Sequence, residues 1–303
     1  MATKTIFAKI DTINTTTYDT FTIRVLAEDG EGYTLRIEQG ATVQTGAVYS
    51  FTVEPIIFKE KEQYLVTSFT HIDQMELPLK RRQELMDVFY EYAPMDAEDI
   101  KQVIESYLGE IQNQTIHQIT RTMYDTYHDR FYLYPAATKF HHAYIGGLGY
   151  HTATMMKLID GFLTVYPWLN KDLLIAGVLL HDILKTEELS DYAGPEYTKE
   201  GRLLGHITMA VKELEVVADK LGVRQSEELL LIQHMILSHH YYGNFGSPKK
   251  TNIPEALILH FIDNIDSKMT VLQETLDQTE PGEFTSPIGV LDREKYYKST
   301  LKK

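Results

Sequence analysis

Histidine and aspartate stand side by side at His181-Asp182, at the end of an apolar run that begins near Leu173. A run such as 173–180 belongs in a core. The pair at its end therefore faces a packed interior, where a carboxylate is costly unless it is paired or bound to a cation. Nine of the twelve histidines fall between His141 and His260, most of them on segments whose apolar spacing predicts helix. His151 starts one segment, His181 and Asp182 end the next, and His206 lies on a third, after Gly201-Arg-Leu-Leu-Gly205. His239 and His240 close a fourth, and Asp263 lies within a fifth, over 256–272. Imidazole and carboxylate together suit divalent zinc, manganese, iron, cobalt or nickel, with magnesium a further candidate. More than four candidate ligands is too many for one tetrahedral ion. The set predicts two divalent ions, with Asp182 able to bridge them. His71, His117 and His128 lie outside this pattern and are read as structural. His234, five residues before His239, shares its helix face poorly and is read the same way. His260, three residues before Asp263, is expected to support the ligands.

Ligands carried on successive helices, one helix and loop apart, converge when the helices form a bundle, which is where bundles build metal sites. Gly146, Gly147 and Gly149 keep the backbone open before the helix that carries His151. Upstream, apolar residues three and four apart predict helices over 79–92, 96–111 (with Asp96 as N-cap) and about 114–127, and 132–135 breaks the pattern. The first seventy-odd residues read differently. Short β-branched and aromatic runs at 5–10, 20–26, 33–37, 47–53 and 64–72 are separated by turn chemistry such as 28–32 and Gln39-Gly40. Five such strands predict a small all-β barrel of the OB type, a fold that often binds single strands on one face. In that role Phe21 and Tyr33 would stack on bases, with Arg24 and Arg36 near phosphates. The expected organisation is an OB-like nucleic-acid-binding barrel over 1–76, connecting helices over 77–135 packed with the helical core, an all-α metal-binding bundle over 136–275, and a tail of loop plus short helix over 276–303.

The whole chain bounds this reading. It has 303 residues, 43% of them hydrophobic, enough for a large core. Its net charge of −14 argues against broad charge-driven binding to nucleic acid or anionic membrane, without excluding a local cationic groove. Residues 1–76 hold six Lys and Arg against eleven Asp and Glu, so charge does not favour the barrel as a binder. The absence of cysteine excludes disulfides and thiolate metal sites. The N-terminus has no apolar signal core and no run reaches membrane-spanning length, so a soluble intracellular protein without a membrane partner is expected. With 20 tyrosines, a Tyr-rich surface leaves a homo-oligomer open.

The order His151, His181-Asp182, His206, His239-His240, Asp263 resembles the HD-domain superfamily of metal-dependent phosphohydrolases. A narrower resemblance rests on His141-His142-Ala-Tyr with Gly146-Gly147-Leu148, then Ser238-His-His, Phe245-Gly-Ser-Pro248, Glu255-Ala-Leu and Asp263-Asn-Ile-Asp266. These are similar to the YhaM family of 3′–5′ exoribonucleases, whose OB-fold followed by an HD domain is also the layout expected here. One stretch departs from it. The family often has a glycine after the paired histidines and an acidic residue before the aromatic-Gly-Ser-Pro segment, where this chain has Tyr241-Tyr242 and Asn244.

The resemblance implies a cytoplasmic, manganese-favouring enzyme of RNA turnover that shortens single-stranded RNA from the 3′ end, some members also acting on single-stranded DNA. In this reading His151, His181, Asp182 and Asp263 hold one ion, and Asp182, His206, His239 and His240 the other. A water activated by the two ions attacks phosphorus. Lys185 resembles the lysine that some HD enzymes place on the substrate phosphate, and His142 would contact substrate or protonate the leaving oxygen. An HD nucleotide phosphohydrolase or cyclic-dinucleotide phosphodiesterase shares every ligand, but a small nucleotide needs no strand-tracking barrel. A catalytically silent RNA-binding protein would leave Lys185 beside a full ligand set without a use.

Overall fold

The computed structural model of the chain describes residues 3–14, 20–58, 61–137, 142, 144–193, 195–243 and 246–301. Of the residues quoted for the family resemblance, His141, Ala143, Asn244 and Phe245 lie outside them. Two compact units divide after Glu91.

The first unit is built on strands β1 (Lys4–Asn14), β2 (Thr20–Ala27), β3 (Gly32–Glu38), β4 (Val48–Phe58) and β5 (Lys61–His71). They close into a mixed barrel in the order β1-β2-β3-β5-β4, antiparallel except for β3 against β5. This is the small OB-like barrel that the strand pattern predicts. Period-two alternation sends Ile6, Ala8 and Ile10 of β1 inward, with Phe21, Ile23, Val25 and Ala27 of β2. A register shift between Ile10 and Thr12 lets β1 bend around the barrel while pairing with both β2 and β4. Helix α1 (Leu79–Phe89) belongs to this unit. Its Leu85 and Phe89 pack with Val48 and Ile72, and Arg81 reaches both Glu28 carboxylate oxygens at 2.5 and 2.7 Å.

The second unit is helical: α2 (Ala97–Leu108), α3 (Gln114–Phe131), α4 (Gly147–Val165), α5 (Lys171–Leu180), α6 (Lys185–Glu188), α7 (Lys199–Leu221), α8 (Glu227–Ser238) and α9 (Pro254–Asp277). Side chains of Asn113, Asn170, Thr198 and Ser226 accept backbone N–H groups at the starts of α3, α5, α7 and α8, which fixes where those helices begin. Helix α5 is buried from Leu173 to Leu180, as a helix apolar on every side must be. It lies so close to α8 that a Cβ at Gly177 would collide with Met235. That approach brings the C-terminal ends of α5 and α8 together, and both ends carry histidine. After α9 the chain makes a short ladder, bridged at Phe284–Tyr297 and Ile288–Glu294, around one 3-10 turn. The Lys298 ammonium donates to the carbonyls of Leu276 and Thr279 at 2.7 Å each, closing the C-terminus of α9.

Candidate metal centre

Helix ends leave backbone carbonyls without intrahelical partners. His181 follows the last residue of α5 and its Nδ1 takes the Val178 carbonyl at 2.8 Å. His239 follows α8 and does the same with Ile236, also at 2.8 Å. In both rings Nδ1 must carry the proton, so Nε2 points onward as a bare lone pair. His206 is oriented differently. Helix α7 is kinked at Gly205 (φ 72°, ψ 153°), a conformation open to glycine alone. The kink frees the His206 N–H, which donates to Glu188 Oε1 at 3.0 Å, while His206 Nδ1 donates to Glu188 Oε2 at 3.1 Å. The glycine at 201 is required as well, because a Cβ there would meet the Glu188 carbonyl. His151, one turn into α4, donates from Nδ1 to Asp266 Oδ2 at 2.7 Å.

The result is a convergence of ligand atoms. Asp182, His206, His239 and His240 form one group whose atoms lie within 4.8 Å of one another, and His151, His181 and Asp263 form a second. Asp182 stands between them, with Oδ1 3.1 Å from His206 Nε2 and 3.9 Å from His239 Nε2, and Oδ2 3.2 Å from His181 Nε2. Asp263 Oδ1 lies 3.4 Å from His151 Nε2. Four of these atoms, His181 Nε2, Asp182 Oδ1, His206 Nε2 and His239 Nε2, are buried without a hydrogen-bond partner among the described residues. Orphaned buried polar atoms are rare and costly, and here they are aimed at one another's neighbourhood. Three lone pairs and one carboxylate oxygen are a donor set that fits a divalent cation.

The charges point the same way. Burial opposes ionisation of Asp182, yet the Lys185 ammonium and then His181 hold its carboxyl well below the usual range. Asp263 and Asp266 are likewise depressed against the effect of burial by the imidazoles beside them, and Glu188 by His206. Four carboxylates thus stay ionised around one lysine. Without a cation the imbalance falls on the histidines. Burial disfavours their charged form, but Asp263 and Asp266 lift His151 to about 9, and Asp182 and Glu188 raise His206. His239 is pushed well below its ordinary value by burial and by His240 and His181, which keeps it in the neutral form that binds metal.

The seven ligands expected from sequence thus lie in two adjoining groups. The other expected site residues are each engaged by neighbours. The His142 ring is fully buried, with Nδ1 on the Tyr144 hydroxyl at 2.7 Å and Nε2 on Asp266 Oδ2 at 2.8 Å, behind His151. Lys185 is committed to Asp182 Oδ2 at 2.7 Å and to the Ala136 carbonyl at 2.6 Å, so it aims the aspartate rather than reaching outward. In the barrel, Phe21 (6% exposed) is core and offers no face to a base. Arg36 (5% exposed) is held by Thr20 and Gln63 and lies over the Phe58 ring. Arg24 remains exposed, 3.8 Å from Asp11, and the Tyr33 hydroxyl accepts from Lys4 at 3.2 Å.

Sequence reasoning missed Asp266 and Glu188 as functional groups. Asp266 lies one helical turn after Asp263, and that i,i+3 spacing on one face was the available signal. His234 and His260 lie outside the two ligand groups. His234 Nε2 accepts the Asn252 N–H at 2.9 Å, and His260 Nδ1 donates to the His239 carbonyl at 2.8 Å.

A helical bundle that gathers histidines and aspartates from the ends of successive helices defines the HD class, and residues 148–268 match the HD domain family. The 3′–5′ exoribonuclease YhaM of Geobacillus sp. (strain WCH70) is 46% identical over 210 residues, 69% of this chain and 64% of that protein. The YhaM proteins of Bacillus pumilus (strain SAFR-032) and Bacillus subtilis (strain 168) are 42% and 43% identical, over 71% and 72% of this chain and 68% and 69% of their own lengths. The chain belongs to the YhaM family of 3′–5′ exoribonucleases. No solved structure matches it.

Proposed function

We propose that this protein is a divalent-metal-dependent 3′–5′ exoribonuclease that hydrolyses single-stranded RNA from its 3′ end. The observation that carries this reading is the set of four orphaned buried atoms, three of them imidazole Nε2 lone pairs fixed by hydrogen bonds at Nδ1. His151, His181, Asp182 and Asp263 would hold one ion, and Asp182, His206, His239 and His240 the other, with manganese the first candidate. Such ions lower the pKa of a water to near neutrality and neutralise charge on phosphate oxygens.

The chain's own residues do the rest. Lys185 neutralises and turns Asp182 so that its Oδ1 faces His206 and His239. Asp266 and Glu188 hold His151 and His206 in the tautomer that presents Nε2. Apolar packing of α5 excludes water from beneath the site. The barrel would guide the strand, with Arg24 and Tyr33 as its accessible contacts. No helix among the described residues is long and apolar enough to cross a membrane, and a cytoplasmic role in RNA turnover follows from the family reading.

The test uses metal-stripped protein and a 5′-labelled single-stranded RNA, with manganese, magnesium or nothing added back. A ladder of shortening labelled fragments that appears only with metal supports the reading. Intact RNA with folded, metal-loaded protein sinks it and directs the next trial to nucleoside triphosphates and cyclic dinucleotides.

A further inference from the structure

Immediately beyond the last two candidate ligands the chain turns sharply and presents aromatic rings. The Tyr241 N–H donates to the Ser238 carbonyl at 2.8 Å and the Tyr242 N–H to the His240 carbonyl at 2.7 Å, and Tyr241 has φ +64°. That left-handed conformation at a helix end is ordinarily taken by glycine. A tyrosine there is a local strain that the surroundings must offset, and such strain gathers at ligand sites. The Tyr241 ring lies against His260, centroids 5.3 Å apart and tilted by only 32°, and against Tyr242 at 5.0 Å. His260 also touches the Phe261 ring at 5.6 Å. The Lys250 ammonium stands 5.1 Å from the Tyr241 centroid.

Two of these rings face solvent: Tyr242 is 52% and Phe261 46% exposed. The floor beneath them is rigid. His260 is buried and donates to the backbone carbonyl of His239, itself one of the candidate ligands. A ring stacked on this surface would therefore sit at a fixed register from the metal centre, which is what positioning a scissile bond demands.

We propose that Tyr242 and Phe261, backed by Tyr241 and His260, form a stacking platform for a base of single-stranded RNA at the nucleotides flanking the scissile phosphodiester, with Lys250 beside the strand's phosphates. The proposal rests on the exoribonuclease reading and adds how that site holds its substrate. Every base has a π face, so stacking is tolerant of sequence. An enzyme that removes successive nucleotides needs that tolerance.

The experiment combines changes on both sides of the contact. Wild type, Tyr242→Ala, Phe261→Ala, the double variant and Tyr242→Phe are compared on a 5′-labelled RNA. The same RNA is also made abasic at its terminal or its penultimate nucleotide, and manganese affinity is measured separately. Losing a base–aromatic stack should raise KM roughly 5- to 150-fold. Manganese affinity should stay within about twofold, since neither ring is a ligand, while any loss of kcat reports the register that the platform sets. Tyr242→Phe should keep the wild-type KM. The abasic penalty at one of the two positions should disappear in the double variant, because both changes delete the same contact. An unchanged KM, or penalties that simply add at both positions, overturns the proposal. If wild type leaves RNA intact, the exoribonuclease reading falls. The platform is then judged by fluorescence anisotropy of the same RNA on the full chain, where equal affinity of wild type and double variant overturns it and a matching loss supports it.

Discussion

Glu188→Gln changes one atom type and almost no volume, yet the geometry predicts that it disables half of the metal centre. Glu188 accepts twice, from the His206 N–H through Oε1 at 3.0 Å and from His206 Nδ1 through Oε2 at 3.1 Å. A glutamine has one acceptor oxygen and one donor NH2. If its oxygen keeps the backbone N–H, which the kink at Gly205 leaves with no helical partner, its NH2 confronts Nδ1–H. The ring then moves its proton to Nε2 and loses the lone pair aimed at the ion. Outer-sphere partners of this kind are worth about 10- to 100-fold in metal affinity, roughly 1.4 to 2.7 kcal/mol. Calorimetric titration of manganese into metal-stripped protein should therefore show two binding events in wild type and one weakened by that factor in the variant. The other event, which depends on Asp266 and His151, should be unchanged. Asp266→Asn should weaken the opposite event for the same reason, because Asp266 Oδ2 accepts from both His151 and His142. If both events weaken equally in Glu188→Gln, or neither does, the assignment of one carboxylate clamp to each half is refuted.

Other expectations follow from the same geometry. Asp182→Ala should abolish metal-dependent nuclease activity while circular dichroism stays native; full activity with wild-type metal content would exclude Asp182 as a ligand. In the metal-free protein the folded pKa of His151 is raised from 6.5 to about 9, so its ion pairing stabilises fully below pH 6.5 and is lost as pH rises through 9. Metal binding needs the neutral ring, so manganese should expel a proton between those limits and bind more tightly as pH rises. Titrations in buffers of different ionisation enthalpy check this, and a heat independent of buffer would contradict it. Phe21→Ala should cost the barrel about 3 to 5 kcal/mol in urea unfolding, because the ring fills the core; a change under about 0.5 kcal/mol, the usual range for a surface position, would mean the ring is at the surface after all.

What was legible in the sequence was whatever a local period or a chemical oddity carries. A His-Asp pair ending an apolar run is an anomaly that burial makes costly, and each ligand helix supplied one such anomaly at a readable place. The partners of those ligands were less legible. Glu188 lies on a four-residue helix, with no period to read, and meets His206 only because Gly205 breaks α7. Lys185 follows Asp182 by three residues, a spacing that by itself allows either a substrate phosphate or the aspartate as partner; in the structure its ammonium donates to the aspartate and to the Ala136 carbonyl, which the spacing does not reveal. In the barrel, alternation shows that one strand face is buried but not which face. Phe21 went inward with Ile37, whereas Arg36, between the core residues Leu35 and Ile37, lies on the outer face and is buried there only because Thr20, Gln63 and the Phe58 ring cover it. The Tyr241–Tyr242 turn shows the limit from the other side. Sequence marks it as a departure from the family, but only the backbone reveals that a tyrosine occupies a glycine conformation there, and only the ring geometry ties it through His260 to His239. A tyrosine in that conformation carries a backbone cost that its ring contacts with His260 and Tyr242 must offset, so the turn reads as a place where packing was set against local preference.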